Sequence, residues 1–290
     1  MQELIYERPT AIAEVVDLAR RDGARLLAGG TDLVPQLREG RRAASRIVDL
    51  KHVPELTRIE RTSSGGWRIG GATSVRTLGA HSEFAREHHG LVASARLIGS
   101  VQVQSRASLG GNLCNAAPSA DGVPLLIALD AEAEIAGPGG SRRVPVSEIA
   151  IGPGRTSLVQ GEIVAALALP PRAPRSASHY LRFTPRREMD IAVAGSGVAI
   201  TLDDTRRISH ARIVLASVGP APIRAVEAEA LLMGEIPSKA VFAAAGVAAA
   251  RQSKPISDTR GSADYRRELV AVLTRRALAA AVQELGITLA

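Results

Sequence analysis

This chain of 290 residues holds one cysteine, seven aromatic residues and three lysines, and each shortage excludes something. A single thiol, Cys114, forms no intramolecular disulfide and cannot supply a cysteine-only metal or iron–sulfur centre. Aromatics at 2% leave few platforms on which the bases of a single strand stack, and no Arg-rich arm alternates with them. Nucleic acid is therefore not an expected partner, although 36 Lys and Arg against 29 Asp and Glu give a charge of +7. Only Lys51, Lys239 and Lys254 interrupt the arginines, and the surplus is spread along the chain. No apolar run reaches 18 residues, and Met1-Gln2-Glu3-Leu4 lacks a basic segment leading into an apolar one. The expectation is a cytoplasmic protein without membrane insertion.

Familiar catalytic patterns are missing too. The histidines His52, His81, His88, His89, His179 and His210 form no His-x-x-x-His or His-Glu-x-x-His pair, so no metal site is expected. His88-His89 reads as a wet helix end. Gly195-Ser196-Gly197 lacks the spacing of a nucleophile elbow, and no Gly-Lys-Ser/Thr phosphate loop is present. No catalytic residue emerges.

What is present is the composition of a folded chain, 46% hydrophobic and 22% charged, long enough for two domains. Pro9-Thr10 opens a helix with Ile12, Val15, Val16 and Ala19 on one face, ending near Gly23. The apolar run Leu26-Leu27-Ala28 leads into Gly29-Gly30, and Thr31 and Asp32 are suited to capping a short helix through Val34 and Leu37. Ile47 to Leu50 reads as a second strand, which makes a small βαβ-like start. The Gly65-Gly66 pair predicts a hairpin ending at Gly70, and helices are expected from Ser74 to His81 and from Leu91 to Ile98. Ser108 to Pro118 carries the densest turn signal of the chain. Short strands are expected at Ala133–Ile135, Arg143–Val146 and Ile163–Leu169. Pro170, Pro171 and Pro174 break every regular element and mark a domain boundary. Beyond it come strands near Tyr180–Phe183, Ala192–Leu202 and Ala211–Val218, then helices over Ile223–Leu232, Lys239–Ala250 and Tyr265–Leu285.

The glycine pairs Gly29-Gly30 and Gly110-Gly111 stand 81 residues apart. Glycine lets backbone approach a ligand and turn successive N–H groups into one concavity, which suits a pyrophosphate. Thr31, Ser108 and Asn112 are candidate neutral donors around it, and Asp121 is a candidate acceptor for sugar or ribityl hydroxyls. Taken from composition alone, each pair also reads as a simple turn. Neither is a Rossmann fingerprint, since the first lacks the third glycine and the second follows a polar stretch. Arg186-Arg187-Glu188-Met189-Asp190 reads as a solvated loop or as a segment facing a cofactor or subunit.

Leu27-Ala28-Gly29-Gly30-Thr31-Asp32-Leu33 and Ser108-Leu109-Gly110-Gly111-Asn112-Leu113-Cys114-Asn115 through Asp121 resemble the paired flavin motifs of one family. It is the FAD-binding middle subunit of molybdenum hydroxylases, the group of xanthine dehydrogenase and aerobic carbon monoxide dehydrogenase. Segments Ser157–Ile163, Arg182–Ala192, Ala216–Pro222 and Asp258–Arg266 are similar to the family in order and spacing. The resemblance implies an α+β chain. A two-part FAD domain would occupy residues 1–173, with subdomains of about 1–55 and 56–173, and a C-terminal domain with a three-stranded antiparallel sheet and a helical layer would occupy 174–290. FAD would be bound non-covalently by Leu27, Ala28, Gly29, Gly30, Thr31, Asp32, Ser108, Gly110, Gly111 and Asn112 around its pyrophosphate. Asp121 would take a cofactor hydroxyl, and Tyr180 would lie towards the flavin ring. Molybdenum–pterin would sit in a large partner and 2Fe–2S clusters in a small one, in a dimer of heterotrimers. This subunit would pass their electrons to NAD+ or another acceptor. The alternatives are a self-contained flavin oxidoreductase and a non-catalytic scaffold of the same fold.

Overall fold

A computed structural model describes residues 4–187 and 189–289; Met1 to Glu3 and Glu188 of the charged run lie outside the described residues. The first layer comprises β1 (Ile5–Glu7), α1 (Ile12–Ala19), β2 (Ala24–Leu27), α2 (Leu33–Arg38) and β3 (Arg46–Asp49). β3 lies between β1 and β2, parallel to both. α2 lies in the crossover that joins β2 to its parallel neighbour β3. α1 carries the chain from β1 across to β2 and buries Val15, Val16 and Leu18. These side chains pack with Val48, Val53, Leu56, Ile163 and Ala165, which fastens the layer to the next one.

The second layer contains β4 (Ile59–Arg61), β5 (Trp67–Gly70), α3 (Val75–Ala80), α4 (Ser82–Glu87), α5 (His89–Ala95), α6 (Val101–Gln104), α7 (Leu109–Asn115), α8 (Val123–Ala128), β6 (Glu132–Gly137), β7 (Gly140–Pro145), β8 (Ala150–Gly152), β9 (Arg155–Thr156) and β10 (Ile163–Leu169). Its main sheet runs β4-β5-β10-β6-β7, antiparallel throughout. Every residue of the central strand β10 is buried, which fits its unbroken apolar sequence. Trp67, Ile69, Phe84, Leu91, Leu113 and Leu126 fill the core between sheet and helices.

The third layer holds β11 (Ser176–Phe183), β12 (Ala194–Leu202), β13 (Ile208–Ala216), β14 (Ile223–Arg224), α9 (Val226–Ala230), α10 (Lys239–Gln252) and α11 (Ala263–Glu284). Three long antiparallel strands form the sheet, with the two-residue β14 added at the edge of β13. The helix expected from Ile223 therefore begins only at Val226: the Ala225 N–H donates to the Ile213 carbonyl (2.8 Å) and keeps this stretch on the sheet edge. α10 and α11 lie close together because Gly246 sits against the Ala271 carbonyl, where a side chain would collide. Ser196, which lacks the spacing of a nucleophile elbow, is buried and shares a hydrogen bond of 2.9 Å with Thr274.

Two local expectations are corrected. Ser108–Pro118 reads as a turn, yet Leu109–Asn115 is helical, with Ser108 Oγ accepting from the Gly111 N–H (3.0 Å) and Ala116 left-handed (φ 48°) at the end. Burial of Leu109 and Leu113, four apart on one face, outweighs the turn preferences of Gly, Asn and Ser. His88 is not a wet helix end either; only 4% of it is exposed, and its ring lies 5.2 Å from that of Phe84 one turn earlier. His89 does face solvent and pairs with Glu284 at 2.8 Å.

Burial lowers the His88 imidazole to about 4, and its Nε2 has no hydrogen-bond partner. An unfolded histidine takes up a proton near pH 6.5, which the folded one refuses until about pH 4. Stability should thus fall as pH drops through that window, by up to about 3 kcal/mol. Thermal melts of the wild-type chain and of His88→Leu between pH 4 and 7 test this. The substituted chain should lose that share of the slope.

Candidate functional site

A cleft of about 480 Å³ opens between the parallel sheet and the second layer. One wall is the turn leaving β2, Ala28 to Asp32; the facing wall is the start of α7, with Ser108, Gly110, Gly111 and Asn112. A third wall is the Leu158–Val164 segment that runs into β10. Nine of the twelve candidate residues from the sequence therefore meet here, across 81 positions of chain.

The glycines have separate tasks. Gly30 takes a left-handed conformation (φ 79°), and its carbonyl accepts from the Val34 N–H (3.0 Å) to begin α2. At Gly29 a Cβ would run into the Arg106 carbonyl, and at Gly110 into the backbone of Gly71. Those two glycines let the walls touch at the floor of the cleft. Gly111 differs, because a Cβ there would lie 3.1 Å from Ser108 Oγ and 3.8 Å from the Ala28 methyl, beside the cleft itself.

Among the described residues the N–H groups of Gly29, Gly30 and Thr31 donate to nothing. Polar backbone left unpaired in a concave wall is a ready set of donors for an anion. Ser108 Oγ accepts from the Gly111 N–H, which leaves its own O–H to donate, and Asn112 Oδ1 accepts from the Gly122 N–H (3.2 Å), which leaves its amide N–H groups for other partners. Asp32 makes no capping hydrogen bond to α2, contrary to expectation, and burial raises its carboxyl above the ordinary value. Cys114 lines the cleft half-buried, its thiol pushed up to about 12 by burial.

Leu27, Asp121 and Tyr180 do not line this cleft. Leu27 is a core residue beneath Gly30. Asp121 and Tyr180 meet each other instead: the Tyr180 hydroxyl donates to Asp121 Oδ1 (3.0 Å), and Arg182 Nη1 donates to Oδ2. All three side chains are buried. Burial raises the Asp121 carboxyl to about 6 against the pull of Arg182, and burial together with the Asp121 charge raises Tyr180 well above its usual value. Arg182 was missed as a site residue, although two places after Tyr180 on a strand it had to share the same face. Gly71, Asp49 and Lys51, which back the two glycine pairs, were missed as well. Lysine's rarity was the only signal for the last.

Among the described residues no group of His, Cys, Asp and Glu is arranged to hold a metal, and no helix is long and apolar enough to cross a membrane.

Residues 2–172 match the family described as FAD binding domain in molybdopterin dehydrogenase, and residues 179–281 match the CO dehydrogenase flavoprotein C-terminal domain. The chain belongs to the FAD-binding medium subunits of molybdenum hydroxylases. It is 32% identical over 283 residues to the xanthine dehydrogenase FAD-binding subunit of Escherichia coli O157:H7, covering 97% of each. The carbon monoxide dehydrogenase medium chain of Hydrogenophaga pseudoflava is 31% identical over 279 residues, covering 95% of this chain and 96% of that one. Among solved structures, carbon monoxide dehydrogenase from H. pseudoflava superposes with a TM-score of 0.91 at 31% identity, covering 97% of this chain and 98% of its counterpart. Quinoline 2-oxidoreductase from Pseudomonas putida 86 gives 0.91 at 26% identity, covering 98% of both chains. As a member of this family the chain is the flavoprotein subunit of a molybdenum enzyme of the xanthine and carbon monoxide dehydrogenase type, and FAD is its cofactor. The unpaired N–H groups between two backbone-lined walls fit the pyrophosphate of that cofactor.

Proposed function

We propose that FAD lies extended in the cleft, with its pyrophosphate between the Ala28–Asp32 and Ser108–Asn112 walls. The observation that carries this is the row of free N–H donors at Gly29, Gly30 and Thr31, facing a wall whose Gly111 leaves room beside them. Neutral backbone donors hold a dianion without the desolvation that a buried ion pair requires. The flavin end points towards the third layer, where Asp121 accepts a ribityl or sugar hydroxyl. Two of the carboxylate's acceptor positions are taken by Tyr180 and Arg182, and others remain. On this reading the FAD domain is residues 1–173, divided near residue 55, and residues 174–290 form the C-terminal domain.

Bound flavin supplies the ability to collect electrons singly and release them in pairs. The chain's residues bind and position it. The electrons come from 2Fe–2S clusters of a small partner, after substrate is oxidised at molybdenum–pterin in a large one, and leave to NAD+ or another acceptor. Near-equal identity to relatives named for xanthine and for carbon monoxide supports placing substrate choice outside this subunit. The assembly is a cytoplasmic dimer of heterotrimers.

Gly111→Val tests the placement. Its branched side chain enters the cleft beside Ala28, and a misfit of about 1–3 kcal/mol should weaken FAD about 5- to 150-fold. Flavin per chain after dilution and gel filtration should fall well below that of wild type. Full flavin retention would remove the pyrophosphate from this position.

A further inference from the structure

The turn at Gly29 is gripped from behind. Lys51 Nζ donates to the Ala28 carbonyl at 2.8 Å and also to Asp49 Oδ1. Asp49, at the end of β3, is almost fully buried. It also accepts from the Lys51 backbone N–H (3.0 Å) and from the Tyr6 hydroxyl. Burial would push this carboxyl up, but the hydrogen bonds from Lys51 and Tyr6 hold it below the ordinary carboxylate range. The ammonium is thus anchored at one end by a buried charge and aimed at a single carbonyl at the other.

A trans peptide is planar, so its C=O and N–H point in opposite directions. Ala28, Gly29 and Gly30 line the cleft and Lys51 does not. With the Ala28 oxygen drawn towards Lys51, the Gly29 N–H of the same peptide is turned the other way, to the cleft. Two peptides further on, the Val34 N–H holds the Gly30 carbonyl, which fixes the Thr31 N–H in the same manner. Without such a hold, a peptide preceding glycine turns over readily, because glycine accepts φ of either sign. The reversed peptide would present a carbonyl oxygen to the pyrophosphate.

We infer that Lys51 is a positioning residue for FAD: through the Ala28 carbonyl it sets the peptide whose Gly29 N–H binds the pyrophosphate. This rests on the cofactor placement proposed above. Lys51 touches no part of the cofactor, and its effect passes through one peptide plane.

The test is FAD titration of the full chain, followed by flavin fluorescence, for wild type, Lys51→Met and Lys51→Arg. Thermal midpoints of the FAD-free proteins are measured beside it. A charge-assisted hydrogen bond lost from the holding position should raise the Kd of Lys51→Met about 10- to 100-fold. Lys51→Arg, which still offers a cationic donor, should stay within about fivefold of wild type. Loss of the ammonium beside buried Asp49 should lower the FAD-free midpoint of Lys51→Met, so every Kd is taken well below all three midpoints, where circular dichroism shows each FAD-free chain folded. A folded Met variant that binds FAD like wild type overturns the inference. So does an Arg variant that loses affinity as fully as Met. A wild-type chain that takes up no FAD would overturn the cleft placement itself.

Discussion

Arg266→Leu is expected to cost the third layer about 3–5 kcal/mol, the usual result of breaking a buried charged network. Arg266 enters from the first turn of α11, where Ser262 caps the helix, and only 4% of it is exposed. Its Nη1 donates to the carbonyls of Val193 (2.7 Å) and Ser217 (3.1 Å), and its Nη2 donates to Asp258 Oδ1 (2.7 Å). One guanidinium thereby ties together the start of β12, the end of β13 and the loop before α11. Leucine fills part of the volume and satisfies none of the three acceptors. Lysine, with a single nitrogen, cannot span them either, so Arg266→Lys should recover little. Denaturant unfolding followed by circular dichroism measures the loss. Trp67, the only tryptophan, sits in the second layer, and its fluorescence reports on that layer separately. A loss below about 1 kcal/mol would mean that these segments hold together without the arginine.

Asp121→Ala should be comparably damaging. Removing the carboxylate strands the Arg182 guanidinium, 7% exposed, and leaves the Tyr180 hydroxyl without its acceptor. The expected cost is about 3–5 kcal/mol. The double variant Asp121→Ala with Arg182→Met should regain most of that, since a buried pair replaced at both ends by apolar groups is often nearly neutral. Denaturation midpoints of the wild type, both single variants and the double variant supply the cycle. If the double variant is as unstable as the sum of its parents, the two side chains are not acting on each other. FAD retention tests the cofactor role proposed for Asp121: a refolded double variant that keeps full flavin would leave the carboxylate with its part in the fold alone.

The fold was legible where apolar periodicity was strong. β10 reads directly from Ile163–Leu169, and α10 and α11 lie within a few residues of their expected bounds. It was illegible where small residues serve tertiary contact. Gly110-Gly111 looks like a turn because glycine is scarce in helices, and only the approach of Gly71 explains a glycine inside α7. His88 looks polar in sequence and is drawn inward by Phe84. The site divides in the same way. Backbone-lined walls announce themselves through glycine pairs. The side chains that brace them, Lys51 on Asp49 and Arg182 on Asp121, are ordinary charged residues until the fold brings them beside their partners.

The contact of Gly29 with the Arg106 carbonyl bears on how a ligand leaves. Walls in backbone contact along their floor cannot swing apart as two halves of a hinge without breaking the packing that joins the first two layers. On the placement proposed above, an extended dinucleotide would have to peel away from one end, each segment surrendering its hold in turn, and its residence time would be set by the slowest segment rather than by a single opening.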